Sequence, residues 1–244
     1  MAGRGSRLAN GNSGIPKPLL PVSGRPMIEW AMLSCEGLEY SKVIFVALAE
    51  HEERFGLSKI LKSLLPGKVE FLWLDEVTEG QLCTVMAARG EIDSDEGVLI
   101  ASCDTYVVSD LGADIRRQSP WTRGVISVAD LPGDRWSFAR VDQSGSVVEV
   151  AEKTRISDHA STGLYYFANG REFIHFADQI ILNGERTRGE YYVIPVYQKY
   201  IDAGHSIGIS IARESWDMGT PEAIELAERY TLNQPDRPVR LCAE

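Results

Sequence analysis

Near the start of the chain, Gly3, Gly5, Ser6, Arg7 and Lys17 have the types and spacing of an anion-binding loop. Two glycines one residue apart let backbone N–H groups come close to an anion, and Arg7 and Lys17 add fixed positive charge to the same stretch. Taken alone the glycines are weak evidence, because short glycine-rich segments are more often turns. Two specific rivals are excluded: there is no G-K-[ST] of a P-loop, and the third glycine of a dinucleotide fingerprint is absent. Two carboxylates stand at places where chemistry is often found. Asp104 directly follows the apolar run Val98-Leu99-Ile100-Ala101-Ser102-Cys103, at the carboxyl end of a strand, where open α/β sheets put their ligands; a turn or cap is the plainer role. Asp217 lies just before Gly219-Thr220-Pro221, and capping a helix there is its plainer role.

These residues need a scaffold, and the hydrophobic pattern supplies one. Strands over 42–49, 69–74 and 97–103 alternate with helices over 50–65 and 80–90, a rhythm that predicts βαβ units and a parallel sheet. The run from Val98 is apolar at nearly every position, as expected of a central strand covered on both faces. From Arg123 the pattern changes to shorter strands, 123–129, 136–141, 146–151 and 161–167, with Gln143-Ser144-Gly145 as a hairpin turn. Such a meander can wall a pocket. A helix begins near Pro26, others are expected over 171–182 and 191–203, and a strand over 206–212 precedes a last helix. Thr220 as N-cap and Pro221 at the first helical position mark that last start.

Composition narrows the function. At 244 residues and 44% hydrophobic, the chain can bury a sizeable core. A formal net charge of −10 argues against a face made for nucleic acid or anionic lipid, which would have to be basic. No run of about eighteen apolar residues and no signal-peptide core is present, so a cytoplasmic protein without membrane contact is expected. Cys35, Cys83, Cys103 and Cys242 are scattered, with no zinc or disulfide spacing, and read as reduced thiols, three of them in the core. His51, His159, His175 and His205 lie in separate segments and need no catalytic assignment.

The motifs in combination are far more specific. The chain reads Gly3-x-Gly5-Ser6-Arg7, then Pro16-Lys17-Pro18-Leu19-Leu20-Pro21-Val22-x-Gly24-Arg25-Pro26-Met27-Ile28, and later Glu79-Gly80-Gln81, Ser102-Cys103-Asp104, Val150-Ala151-Glu152-Lys153, Ser161-Thr162-Gly163-Leu164-Tyr165 and Trp216-Asp217-Met218-Gly219-Thr220-Pro221. In this order it resembles the sugar-nucleotide pyrophosphorylase family over nearly its whole length. The resemblance implies a Rossmann-like α/β fold: a mixed, mainly parallel sheet flanked by helices, with an inserted β meander for the acceptor. It implies a single domain, with 1–122 and 205–244 as the nucleotide and metal core and 123–204 as the acceptor-binding part.

The same resemblance implies an activity, the transfer of a nucleoside monophosphate unit from an NTP to a sugar 1-phosphate with release of pyrophosphate. Arg7 would hold the β- and γ-phosphates and Lys17 the α-phosphate, a division that suits a planar fork and a mobile point charge. Ala2, Gly3, Gly5 and Ser6 would contact the nucleotide, as would Gly80 and Gln81, although Gln81 also suits the exposed first turn of a helix. Asp104 and Asp217 would bind Mg²⁺, a hard cation that prefers oxygen ligands. Glu152 would accept hydrogen bonds from sugar hydroxyls, Lys153 would bind the acceptor phosphate, and Thr162 and Gly163 would line that pocket; a solvated strand end is the alternative for Glu152 and Lys153. The implied partners are an NTP and a phosphorylated small molecule, not a nucleic acid, and a homo-oligomer is left open. A non-catalytic nucleotide-sugar-binding subunit is the rival from another class, and the joint presence of Arg7, Lys17, Asp104 and Asp217 weighs against it. A nicotinamide-dependent oxidoreductase would need an acidic residue after its second strand.

Two departures from the family pattern stand out. Only Met1-Ala2 precede Gly3, so the first strand of the sheet is expected to lie upstream of Met1, and the C-terminal β-helix of some members is expected to be absent. Where glucose-1-phosphate thymidylyltransferases have Tyr-Gly facing the sugar, this chain has Trp136-Ser137. Acceptors such as heptose, cyclitol or amino-alcohol phosphates, the last through a choline-phosphate cytidylyltransferase-like reaction, therefore stay open.

Overall fold

The β-branched and aromatic run Val43–Leu48 pairs in parallel with Val69–Leu74, in a register that sets Val43 opposite Val69 and Leu48 opposite Leu74. A computed structural model describes residues 15–64 and 67–231. The chain divides into two compact units, one of Met1–Val77, Ser102–Val108 and Glu214–Glu244, the other of Thr78–Ala101 and Ser109–Arg213.

In the first unit the expected helix over 50–65 is two helices, Ala49–Phe55 and Leu57–Leu64. The break falls at Gly56, whose φ of 61° is left-handed and ends the first helix through its N–H to Glu52 O at 2.8 Å. The Glu52 carboxylate then accepts from Ser58 N and Oγ at 2.7 and 2.6 Å and restarts the second helix. Leu57 and Leu61 bury their side chains with Ile28, Ala31, Phe45 and Ala47, so the helix Met27–Leu33 and the parallel pair share one core. A strand pair absent from the sequence expectations joins Thr105–Val108 to Glu214–Asp217 in antiparallel register, Trp216 opposite Tyr106 and Asp217 opposite Thr105. Buried Ser34 braces it, donating to Thr105 O at 3.3 Å and accepting from Val107 N at 2.8 Å. The last helix, Pro221–Thr231, starts as expected, with Thr220 Oγ1 accepting from Ala223 N at 3.2 Å.

The second unit is built on a six-stranded sheet. Its order is Ser206–Ile211, Thr122–Ala129, Ala160–Phe167, Ser137–Val141, Val147–Glu152, with Val98–Ala101 pairing Ala160–Phe167. The expected meander over 123–167 is present and antiparallel. Its turn is tightened by Asp142, whose carboxylate accepts from Ser144 N, Ser144 Oγ and Ser146 N. Among the described residues, parallel pairing is confined to Val43–Leu48 with Val69–Leu74 and Ser206–Ile211 with Thr122–Ala129. The fold is thus the mixed α/β arrangement expected, with more antiparallel pairing than the alternation alone suggested. Val98–Ala101 runs antiparallel to its neighbour and only Ile100 is fully buried, so it is not the strand covered on both faces that its composition predicted. Small Ala101 can be exposed at little cost, which lets an apolar run sit in a half-covered place.

Helix boundaries also shift. The expected helix over 80–90 is Gln81–Met86 followed by Arg89–Ile92, and the one expected from Tyr191 begins at Pro195, where the missing N–H costs nothing. The helix Leu111–Arg117 was not anticipated. Phe138, Phe167, Phe173, Tyr197 and Tyr200 fill the core, Phe167 stacking on Tyr197 at 4.3 Å between ring centroids. Cys35, Cys83 and Cys103 are free and half-buried rather than fully in the core, while Cys242 lies outside the described residues.

Candidate active site

Lys17 is fixed by its neighbours before any ligand is considered. It opens a short 3-10 turn, Lys17–Leu19, between Pro16 and buried Pro18, with Leu19 N bonded to Pro16 O at 2.8 Å. Leu20 then sits in a core cluster with Val22, Met27, Tyr106, Met218 and Ala227, while Leu19 and Cys103 both pack on the other core cluster. Cys103 and Met218 are the chain neighbours of Asp104 and Asp217. The lysine and both aspartates are therefore each tied, one or two residues away, to shared apolar packing, and their relative positions are set by the cores.

Backbone pairing completes the arrangement. Asp217 lies opposite Thr105 at the end of its strand, and Met218 N donates to Asp104 O at 2.8 Å, which brings the two aspartates to one end of the strand pair. The Lys17 ammonium forms a charged hydrogen bond to Asp104 Oδ2, with 19% and 27% of the two side chains exposed. Burial works against the charge on Lys17, but Asp104, with a smaller contribution from Asp217, outweighs it and raises the pKa above the ordinary lysine value. The cation is thus permanent near neutrality.

Gly219 lets the backbone pass close to these carboxylates. A Cβ there would fall 2.8 Å from Asp217 Oδ1 and 3.6 Å from Asp104 Oδ2, so both carboxylates border the position that the missing side chain would take. Gly219 N also donates to Asp217 Oδ1 at 2.9 Å and orients it. Among the described residues no group of three His, Cys, Asp or Glu is assembled to hold a metal. A pair of hard oxygen ligands suits a cation that takes its other ligands from phosphate and water rather than from a closed protein cage.

The second unit carries the residues expected for the acceptor. Glu152 stands opposite Ser137 in the antiparallel register, and Ser137 Oγ donates to Glu152 Oε2. Tyr165 OH, buried beneath, donates in turn to Ser137 Oγ at 3.2 Å. Burial raises the Glu152 pKa, opposed by the Ser137 hydrogen bond and by the charges of Lys153 and Arg188. Lys153 has φ 54°, an uncommon value for a residue with a side chain, and its N–H bonds to Trp136 O at 2.8 Å. Its ammonium meets Tyr192 OH and lies 4.2 Å from the centre of that ring, and Tyr192 OH donates to Glu190 at 2.8 Å.

The other expected residues divide. Thr162 is buried, its hydroxyl donating to Ser127 Oγ at 2.8 Å, and Gly163, φ 87°, sits where the pairing register slips between Ser161 and Tyr165. Gly80 caps the helix Gln81–Met86; a Cβ on it would be 2.4 Å from Tyr191 O, so glycine is needed for the backbones to pass. Gln81 is half-buried in the first turn of that helix. Ala2, Gly3, Gly5, Ser6 and Arg7 lie outside the described residues, as does the expectation of a strand before them. Sequence reasoning missed Tyr165 and Gly219 as working parts although both lie inside quoted motifs. Their partners come from strand register and loop packing, which residue spacing does not display.

The MobA-like NTP transferase domain matches residues 1–154. Bifunctional protein GlmU of Thermotoga maritima is 33% identical over 204 residues, covering 79% of this chain and 41% of that protein. The GlmU of Listeria innocua is 28% identical over 247 residues, covering 96% of this chain and 50% of its own length. The chain therefore spans half or less of these two curated relatives. Among solved structures, a nucleoside-diphosphate-sugar pyrophosphorylase from Vibrio cholerae superposes with a TM-score of 0.80 at 26% identity, covering 94% of this chain and 98% of that one. A UDP-glucose pyrophosphorylase from Acinetobacter baumannii shares the fold at a TM-score of 0.75 and 17% identity, covering 96% and 92%. Among the described residues no helix is long and apolar enough to cross a membrane.

Proposed function

The chain belongs to the MobA-like NTP transferase domain family, and from that premise we propose that it transfers a nucleoside monophosphate unit from an NTP to a sugar 1-phosphate, giving an NDP-sugar and pyrophosphate. The observation that carries this reading is the Lys17 ammonium bonded to Asp104, with Asp217 bordering the same space beside Gly219. The name of the Vibrio cholerae structure, a nucleoside-diphosphate-sugar pyrophosphorylase, supports the choice of a sugar 1-phosphate as acceptor.

In the reaction an oxygen of the acceptor phosphate forms a bond to the α-phosphorus while the bond from that phosphorus to the bridging oxygen of pyrophosphate breaks. The acceptor oxygen is already ionised near neutrality, so no general base is required. Catalysis then rests on alignment and on stabilising charge at the α-phosphate and the leaving group. Lys17, kept charged by Asp104, supplies the cation at the α-phosphate, and Arg7 the one at the β- and γ-phosphates. Ala2, Gly3, Gly5, Ser6, Gly80 and Gln81 are assigned to the nucleotide. Asp104 and Asp217 would hold Mg²⁺, and their oxygen pair fits its preference. When bound, Mg²⁺ supplies neutralising charge to the phosphate oxygens. Glu152 accepts from an acceptor hydroxyl, Lys153 binds the acceptor phosphate, and Thr162 and Gly163 shape that pocket. The reading includes a cytoplasmic location and a phosphorylated small molecule, not a nucleic acid, as partner.

Incubation of the chain with each NTP and a panel of sugar 1-phosphates, followed by phosphorus NMR, tests this. The expected signals are a new diphosphate diester and free pyrophosphate, both dependent on acceptor. Hydrolysis of NTP without acceptor, or no reaction across the panel, would contradict the proposal.

A further inference from the structure

Lys153 carries its charge at the tip of a long, flexible stem, so a fixed backbone alone does not place the ammonium. The backbone is fixed, by the left-handed φ of 54° and by the N–H bond to Trp136 O at 2.8 Å. The ammonium is held by a second contact, with the Tyr192 hydroxyl, and that hydroxyl donates its own proton to Glu190 Oε2 at 2.8 Å. A phenol has one proton to give and lone pairs to accept with. With the proton committed to Glu190, the oxygen turns only acceptor capacity towards Lys153, which suits an ammonium, a group that can only donate. Tyr192 is itself well anchored. Its neighbours Tyr191 and Val193 are buried, Tyr191 N donates to Glu79 O and Tyr191 O accepts from Leu82 N, both at 3.0 Å, and Thr187 and Glu190 exchange backbone bonds at 3.0 and 3.1 Å. A ring with two rotatable bonds on such a backbone is a much stiffer support than the lysine it holds.

We propose that Tyr192 is a positioning residue of the acceptor site, whose hydroxyl, aimed by Glu190, holds the Lys153 ammonium ready for the acceptor phosphate. The proposal rests on the assignment of Lys153 to that phosphate. An ammonium has three protons, so the one given to Tyr192 leaves two for phosphate oxygens. The hydroxyl also stands between the ammonium and the Glu190 carboxylate, bonded to each. Without that oxygen the stem is free to explore other rotamers, including those that carry the ammonium onto Glu190, and every acceptor that binds must first draw it back into place. Tyr192 acts through Lys153, so its hydroxyl counts only while the lysine is present. The ties from this segment to Glu79 and Leu82, on either side of Gly80 and Gln81, are backbone bonds of Tyr191, and loss of the Tyr192 hydroxyl leaves them intact.

The test compares wild type, Tyr192→Phe, Lys153→Met and the double variant, with the NTP and sugar 1-phosphate that wild type turns over best. Tyr192→Phe removes one oxygen from a half-buried ring, so its melting temperature should stay within about 4 °C of wild type. Lys153→Met should lower kcat/KM for the acceptor about tenfold or more, as expected for a lost charged hydrogen bond. Tyr192→Phe should lower it about threefold or more, through a higher KM for the acceptor, while KM for the NTP stays within about twofold. In the Lys153→Met background the same change should cost less than about twofold, because the group that Tyr192 serves is gone. A tyrosine with only a structural role would cost the same in both backgrounds. A smaller loss in Tyr192→Phe, a matching loss for the NTP, or a loss of about twofold or more in the Lys153→Met background would overturn the proposal while leaving the sugar 1-phosphate reading intact. If Lys153→Met keeps the acceptor kcat/KM of wild type, Lys153 does not serve the acceptor and the proposal falls with that assignment. If wild type turns over no sugar 1-phosphate with any NTP, the reading of function fails and the proposal falls with it.

Discussion

Replacing Gly219 with alanine adds one methyl group to the space bordered by the two aspartates, and its consequences can be worked out from distances. The new carbon would lie 2.8 Å from Asp217 Oδ1, 3.5 Å from Asp217 Oδ2 and 3.6 Å from Asp104 Oδ2. Non-bonded heavy atoms settle near roughly 3.5 Å, so only the first contact is too close, and Asp217 Oδ1 must withdraw by about 0.5 Å or more. Gly219 is not among the residues with positive φ, so alanine meets no backbone strain. Withdrawal also stretches the 2.9 Å bond from Gly219 N to Oδ1. The stability cost is bounded by one hydrogen bond to a charged group, at most about 3 kcal/mol, and is partly offset by the lower entropy of the unfolded chain, about 0.4–1 kcal/mol. Mg²⁺ is far less forgiving, because it demands near-ideal geometry at about 2.0–2.1 Å. The expected outcome is a rise of about tenfold or more in the Mg²⁺ concentration for half-maximal pyrophosphate release, equivalent to about 1.4 kcal/mol, with the cooperative melt retained. A Mg²⁺ titration of turnover beside a thermal melt measures both quantities. If Gly219→Ala titrates like wild type, the space beside Gly219 is not where the cation acts.

Three further outcomes are expected. Lys17→Ala should lower kcat on the order of 100-fold, about 2.7 kcal/mol at the transition state, while losing no more than about 1.5–3 kcal/mol of stability from the bond to Asp104; steady-state kinetics and denaturant melts separate the two, and near-normal kcat would remove Lys17 from the α-phosphate. Asp104→Asn and Asp217→Asn should each shift the Mg²⁺ titration to higher concentration, since a neutral amide is a poorer ligand for a hard cation, and unchanged titrations in both would dismiss the aspartate pair. For Glu152 burial raises the folded pKa above its ordinary value of 4.5, so the native state holds the proton more tightly; that contribution is fully present below about pH 4.5 and is lost as pH rises through the folded value. Glu152→Gln should therefore melt higher than wild type near pH 7, with the gap closing as pH falls towards 4.5, while KM for the acceptor rises about tenfold; a lower melting temperature at pH 7 would contradict the sign.

What could be read from the chain depended on how local its cause was. Lys17 between two prolines, the Thr220 cap with Pro221 behind it, and the alternating strands of the meander are written in adjacent residues, and each appears where expected. The break at Gly56 was also local but was overridden by the helical periodicity around it, and only the left-handed φ reveals it. The pairing of Thr105–Val108 with Glu214–Asp217 joins short segments far apart in sequence, and neither has a pattern long enough to identify a strand. The contact of Lys17 with Asp104 spans 87 positions. Residue types suggested that both serve phosphate chemistry, but their contact follows from Leu19 and Cys103 packing on one core cluster and from Leu20, Tyr106 and Met218 sharing another. The Ser137 bond to Glu152 was hidden for a similar reason. A departure from a motif is visible in the sequence, but which carboxylate it faces is decided by strand register.

The proposed transfer of a nucleoside monophosphate unit to a phosphorylated acceptor depends on charge fixed at Lys17 beside Asp104. Its most direct test is the stoichiometry of product formation with the best NTP and sugar 1-phosphate, measured for wild type and Lys17→Ala at equal protein concentration. Wild type should release one pyrophosphate for each NDP-sugar and none without acceptor, and a folded Lys17→Ala should be slower by about two orders of magnitude. Pyrophosphate released without acceptor, or the same acceptor-dependent rate in both proteins, would contradict it.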